Sequence, residues 1–172
     1  MTFSTEPLLV SGYFAEDSRG TFSKPYMAGV GRDFEAKELY WTRSAKGTIR
    51  GLHFQLPPHE IAKLIWVSRG AVFDVLVDIR AGESYGKLHG FTLDATSGQA
   101  LYVPAGFAHG YQALEEASIV NYAVNGVFAP EHDKGVRWNS AGIDWPLEAT
   151  KVSEKDRGQP LLADFETPFS RA

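Results

Sequence analysis

The 172-residue chain contains no cysteine. That absence excludes disulfides, thiolate nucleophiles and Cys-ligated zinc. Excess positive charge is also missing. Seventeen Lys and Arg stand against 21 Asp and Glu, for a net charge of −4, which argues against a nucleic-acid binder held by a general basic surface. Local clusters of arginine and lysine remain suited to a phosphorylated small molecule. No apolar run approaches the length of a membrane span. The start, MTFSTEPLLVSGYF, lacks the charged region and long apolar stretch of a secretion signal. The expectation is a soluble cytoplasmic protein with no nucleic-acid or membrane partner. No stretch carries a long, capped stripe of period 3.6, and no linker, internal repeat or low-complexity segment breaks the chain. Residues 1–172 therefore read as a single domain whose helices are short and near the ends, for example within 153–164.

What is present is period two. In AVFDVLVDIR, Phe73, Val75, Val77 and Ile79 share one face, while Val72, Asp74, Leu76 and Asp78 form a half-polar one. KLIWV, GFTLDA, QALYVPA and SIVNYAV are further short runs, separated by the turn signals SRG, RAGESYG, ATSG and PAG. With 44% hydrophobic and 13% aromatic residues there is enough apolar material for a sizeable core, and many short strands mean an all-β sandwich or barrel. The mixed N-terminal forty residues suit strands that extend a sheet edge or reach a partner subunit.

The stretch IRGLHFQLPPHEIAKLIWVSRG sets Arg50, His53 and Lys63 inside what otherwise reads as core β-structure. Polar groups so placed cost free energy unless paired or used. Downstream, GQALYVPAGFAH resembles the second cupin motif, with Gly98, Pro104, Gly106 and His109 in register and Ala113 where an asparagine usually closes it. The first cupin motif has an echo in Gly47 and His53, but Gln55 stands at the second histidine position and Lys63 at the glutamate position. A divalent ion beside an ammonium is electrostatically poor, so no metal is expected. A rival alignment takes His53, Glu60 and His109 as ligands, the arrangement of a metal-dependent, dioxygenase-like cupin.

The resemblance goes further than the cupin motifs. RGLHFQ, AKL, DVLVDIR, PAGFAHG, APEHDKGVRWN and IDWPL, with DSRGTF before them and VSEKD after, resemble the dTDP-4-dehydrorhamnose 3,5-epimerase family over about residues 14 to 160. The resemblance implies a cupin-type double-stranded β-helix (jelly roll), a homodimer and no cofactor. It also implies epimerisation at C3 and/or C5 of a nucleotide-linked 4-keto-6-deoxyhexose. The expected case converts dTDP-4-dehydro-6-deoxy-D-glucose to dTDP-4-dehydro-L-rhamnose. The alternatives are a 3- or 5-monoepimerase for an unusual deoxysugar and a non-catalytic sugar-nucleotide binder.

Both reacting carbons lie α to the C4 ketone, so the chemistry needs a base, an enolate stabiliser and an acid. By resemblance, His53 is the base, Asp156 its carboxylate partner and Tyr122 the acid. Lys63 faces the enolate oxygen. Arg50 and Arg19 match positions that hold the diphosphate. His109 matches a residue that contacts sugar or phosphate, and Phe22 and Phe128 match aromatic positions at the base or sugar. Lys24, Glu38, Gln55 and Asp133 complete the substrate shell. Each has a plainer reading. His53 and His109 suit hydrogen-bonded core histidines, and Lys63 suits a strand-end lysine reaching water. Tyr122, Phe22 and Phe128 suit packed core, and Arg19 suits a surface ion pair. His59, His89 and His132 read as surface or loop residues. Five positions depart from the family: Lys24 for Glu, Glu38 for Gln, Tyr40 for Asn, Phe128 for Tyr and Asp133 for Glu. Lys24 and Glu38 together suit a swapped charge pair.

Overall fold

A computed structural model describes residues 5–26 and 34–170. Of the N-terminal forty residues, 1–4 and 27–33 lie outside the described residues. The strands are β1 Leu8–Ser11, β2 Tyr13–Asp17, β3 Gly20–Lys24, β4 Glu38–Ser44, β5 Ile49–Gln55, β6 Lys63–Arg69, β7 Ala71–Asp78, β8 Leu88–Asp94, β9 Gln99–Val103, β10 Phe107–Ala113, β11 Ser118–Val124 and β12 Asp133–Gly135. One helical turn, α1 Glu154–Arg157, and a 3-10 turn, Leu162–Asp164, follow within the expected C-terminal stretch.

Two five-stranded antiparallel sheets face each other, in the orders β1-β9-β6-β11-β4 and β12-β5-β10-β7-β8, with β2-β3 as a separate hairpin. This is the expected jelly roll. The alternating side chains of both inner faces fill the space between the sheets, Ile65, Val67, Leu101 and Val120 from the first against Val72, Leu76, Phe107 and Tyr111 from the second. The outer faces are covered as well. C-terminal residues Val136, Leu162 and Phe169 pack on Val75, Val77 and Ile79 of the second sheet, while Val10, Phe34 and Leu64 cluster outside the first. The half-polar face of β7 therefore does not meet solvent. It points between the sheets, where Asp74 and Asp78 are buried.

One irregularity in the second sheet sets up the site. On β5 and β10, His53 opposes His109 but Arg50 opposes Tyr111. Two residues of β5, Gly51 and Leu52, therefore face one of β10, a β-bulge. The extra residue reverses the alternation, so Arg50 and His53, three apart, both reach the same cavity. Gly51 has φ +129°, and a Cβ there would lie 2.6 Å from Cα of Gly110. Only glycine permits that backbone approach.

Candidate active site

The cavity between the sheets has a volume of ≈1110 Å³. His53 and Arg50 enter it from β5 and His109 from β10, while Lys63, Tyr122, Glu38 and Tyr40 enter from β6, β11 and β4 of the opposite sheet. Phe128, Asp133, Lys155 and Asp156 arrive from the segments after β11.

His53 Nε2 lies 2.6 Å from Oδ1 of Asp156. A single turn of helix places the carboxylate. Ser153 caps α1 by accepting from the backbone N–H of Asp156 at 3.1 Å, as N-cap serines do. Burial would raise the Asp156 carboxyl, but His53, the Gly51 N–H at 3.3 Å and Ser153 outweigh it and hold the group below its ordinary value. Asp156 is thus a buried carboxylate, and His53 keeps Nδ1 free of it. The His53 side chain is one-third exposed, at 33%, and so is accessible to a ligand.

Lys63 Nζ donates to the His53 carbonyl at 3.3 Å. Burial pulls its pKa down to about 8, against the opposing charges of Asp74 and Asp133. The ammonium faces inward rather than reaching solvent. His109 gives Nε2 to Oδ2 of Asp74 at 2.9 Å, with both side chains buried. Burial lowers its pKa, Asp74 resists, and the Lys63 and His53 charges lower it further. The imidazole is therefore neutral at pH 7, and its Nε2–H is the donor. Tyr122 is buried, which raises its phenol well above the ordinary value, so it stays protonated. Tyr111 ties the sheets together, its hydroxyl 2.8 Å from both Thr42 Oγ1 and Ser44 Oγ. Ser44 Oγ also accepts from Arg50 Nε at 3.0 Å.

Several expected residues are placed differently. Gln55 lines the cavity, but its amide is committed: Oε1 accepts from Ala129 N–H at 2.7 Å and Nε2 donates to the His59 carbonyl at 2.7 Å. It fastens the loop after β11. Glu38 does not pair with Lys24. Its Oε1 accepts from the Phe128 N–H at 3.1 Å, and Lys24 lies over the Phe22 ring at 5.6 Å. Asp133 pairs with Lys155 across the cavity wall. Arg19, Phe22 and Lys24 sit on the β2-β3 hairpin and do not line this chain's cavity. Arg19 pairs locally with Asp17 at 2.6 Å. Phe22 and Phe128 are more than half exposed rather than core. His89 lies within β8 and its Nε2 is buried, so it is not a loop residue. His59 and His132 do lie in loops, with ring centroids 4.4 Å apart. The rival ligand set is not assembled. Glu60 is exposed and outside the cavity lining, and both histidines give Nε2 to carboxylates. Among the described residues no group of three or more His, Asp or Glu is placed to hold a metal.

Asp74, which holds His109 behind the cavity wall, is the residue of the candidate site that sequence reasoning passed over. Its Oδ1 is buried with no hydrogen-bond partner. The signal was a carboxylate on the half-polar face of a strand whose other face was wholly apolar.

A family profile described as dTDP-4-dehydrorhamnose 3,5-epimerase matches residues 5–164. The dTDP-4-dehydrorhamnose 3,5-epimerase of Sinorhizobium fredii is 42% identical over 163 residues, covering 92% of this chain and 82% of that protein. The crystal structure of the Bacillus anthracis enzyme of that name, with TDP and PPi bound, superposes with a TM-score of 0.86 at 38% identity, covering 91% and 94% of the two chains. A dTDP-6-deoxy-D-glucose-3,5-epimerase from Legionella pneumophila, in complex with dTDP-4-keto-L-rhamnose, gives 0.89 at 29% identity over 99% and 97%.

Proposed function

Since this chain belongs to the dTDP-4-dehydrorhamnose 3,5-epimerase family, we infer the part each side chain takes in the reaction of that family. The protein is an isomerase that epimerises a nucleotide-linked 4-keto-6-deoxyhexose, with dTDP-4-dehydro-6-deoxy-D-glucose the substrate and dTDP-4-dehydro-L-rhamnose the product. Residues 1–172 act as one epimerase domain.

The observation that carries the assignment of roles is the placement of His53 and Tyr122 on opposite sheets around one cavity. Inversion needs a base on one face of the sugar and a donor on the other. Nδ1 of His53 takes the proton from the carbon α to the ketone. Asp156, already ionised, holds the ring and offsets the imidazolium that forms. The electrons move to O4, where the Lys63 ammonium stabilises the enolate. A group of this kind is worth about 3–4 kcal/mol of transition-state stabilisation. The Tyr122 phenol then protonates the same carbon from the far side, and the ketone re-forms. Once His53 has given its proton to solvent and Tyr122 has regained one, repetition at the second α carbon completes the change. Arg50 holds a diphosphate oxygen beside Ser44. His109 presents a fixed, neutral ring to the sugar, and Glu38, Phe128, Gln55 and Asp133 shape the shell around the nucleotide.

A homodimer is part of the proposal. The β2-β3 hairpin carries Arg19, Phe22 and Lys24 away from its own cavity, which suits delivery to that of a second copy. Leu39 and Trp41, 72% and 64% exposed on the edge strand β4, supply apolar surface for such a contact. A cytoplasmic location belongs to the same proposal. Among the described residues no helix is long and apolar enough to cross a membrane.

Incubation with dTDP-4-keto-6-deoxyglucose in D₂O, followed by NMR, tests the reaction. Deuterium at both C3 and C5 with inverted configuration is the expected result. Label at one carbon only would make the enzyme a monoepimerase, and no exchange would overturn the assignment.

A further inference from the structure

Tyr40 and Tyr122 are directly opposed in the β4–β11 ladder. Their rings stack, with centroids 4.6 Å apart and planes 14° from parallel. Tyr122 also meets the His109 ring edge-on at 6.0 Å and 72°, and Asp74 in turn anchors His109. Tyr122 is thus gripped by two rings, that of His109, hydrogen-bonded to the buried Asp74, and that of its cross-strand neighbour Tyr40. Offset stacking and edge contacts of this kind are the geometries aromatic rings favour.

Tyr40 is not needed to fill the core. It is 43% exposed and lies on the edge strand of its sheet. Its ring nevertheless lines the cavity beside Tyr122. Tyr122 packs with the core between the sheets on one side and lines the cavity of ≈1110 Å³ on the other. The stacked Tyr40 ring adds a contact to its face.

We propose that Tyr40 is a positioning residue that fixes the ring of Tyr122 and so sets the direction from which the proton is returned. The proposal rests on the reading of Tyr122 as the acid. It assigns the effect to the Tyr40 ring, not to its hydroxyl. If the ring is lost, proton removal by His53 continues while delivery to the opposite face becomes less efficient. The enolate is then more often reprotonated by the conjugate acid of the base that formed it, and substrate is returned unchanged except for its hydrogen isotope.

The test compares Tyr40→Leu, Tyr40→Asn and Tyr40→Phe. In D₂O, the ratio of deuterium in recovered substrate to inverted product should rise about 2- to 12-fold in the leucine and asparagine variants, the span set by aromatic pair energies. Turnover should fall while KM changes little. Tyr40→Phe should restore the wild-type ratio. A parallel fall of exchange and inversion, or a phenylalanine variant as impaired as leucine, would overturn the proposal. A second readout needs no substrate. With ring-labelled tyrosine, and Tyr122 assigned through Tyr122→Phe, the Tyr122 ring resonance should lose its stacking shift in Tyr40→Leu and keep it in Tyr40→Phe. An unmoved resonance in the leucine variant refutes the clamp even if catalysis changes. Should the wild-type protein neither exchange nor invert, the reading of the reaction fails, and the resonance alone still decides whether Tyr40 holds Tyr122.

Discussion

His53 and Tyr122 belong to opposite sheets and line the same cavity, one bound to a buried carboxylate and the other stacked on a second tyrosine. This division of labour makes the two halves of the reaction separable. His53→Asn should abolish solvent exchange at both carbons. Tyr122→Phe should keep exchange and lose most inversion. NMR in D₂O distinguishes the two, and wild-type inversion by Tyr122→Phe would assign the acid to another group.

Asp156→Asn replaces an acceptor by an amide that can donate to His53 and favour the wrong tautomer. The expected loss in kcat is on the order of 10⁴-fold, the scale seen when the carboxylate of a Ser-His-Asp triad becomes an amide. The stability profile should change as well. The Asp156 carboxyl is held below its ordinary value, so its stabilisation is fully present above about pH 4 and is lost as pH falls through the folded value. Urea midpoints should therefore depend less on pH below about 4 in the variant than in the wild type.

Lys63 couples activity to stability with opposite signs. Its pKa falls from 10.5 to about 8, so the ammonium predominates below pH 8 and kcat/KM should decline above it. Between about 8 and 10.5 the unfolded chain binds the extra proton, and stability should rise with pH across that window. That depression corresponds to about 3 kcal/mol of net cost for keeping the ammonium buried. Lys63→Met should recover a good part of that at pH 7, raising the urea midpoint while reducing turnover at least about 100-fold. A variant destabilised at pH 7 would contradict the burial argument.

His109→Leu strands the Asp74 carboxylate, which already has one oxygen without a partner. The expected cost is about 1–3 kcal/mol. His109→Leu combined with Asp74→Leu should recover part of it, because an apolar pair leaves neither partner unsatisfied, while the rest stays lost with the support Asp74 gives the Lys63 ammonium. Denaturant titration of the two singles and the double closes this cycle.

Strands, turns and short C-terminal helices were legible because alternation and glycine-marked turns are local properties. So was the pocket set His53, Lys63, Tyr122 and Asp156, through motifs spread over the chain. What sequence did not show depends on register. The bulge at Gly51 decides that Arg50 shares a face with His53, and strict alternation would place them on opposite faces. The use of Gln55 to fasten residues 127–129 and of Glu38 to hold the Phe128 N–H depends on where a distant loop returns. The Tyr40–Tyr122 stack needs the β4–β11 pairing, whose partners are far apart in sequence. The half-polar face of β7 was visible, but that it looks inward follows only from the C-terminal segment covering the other side.

That C-terminal cover has a consequence for how the enzyme is made. His53 and Asp156 are separated by 103 positions, and every strand of both sheets precedes the carboxylate in the chain. A nascent polypeptide released before Ser153 would contain every strand of the sandwich but lack the cavity wall formed by Ser153, Lys155, Asp156 and Arg157, with a base that no carboxylate orients. It would also lack Leu162 and Phe169, leaving Val75, Val77 and Ile79 only partly covered, by Val136 and its neighbours. Premature termination would therefore yield a product that is both inert and prone to associate through its partly uncovered sheet, so that the capacity for turnover and the solubility of the chain are acquired together, in its last residues.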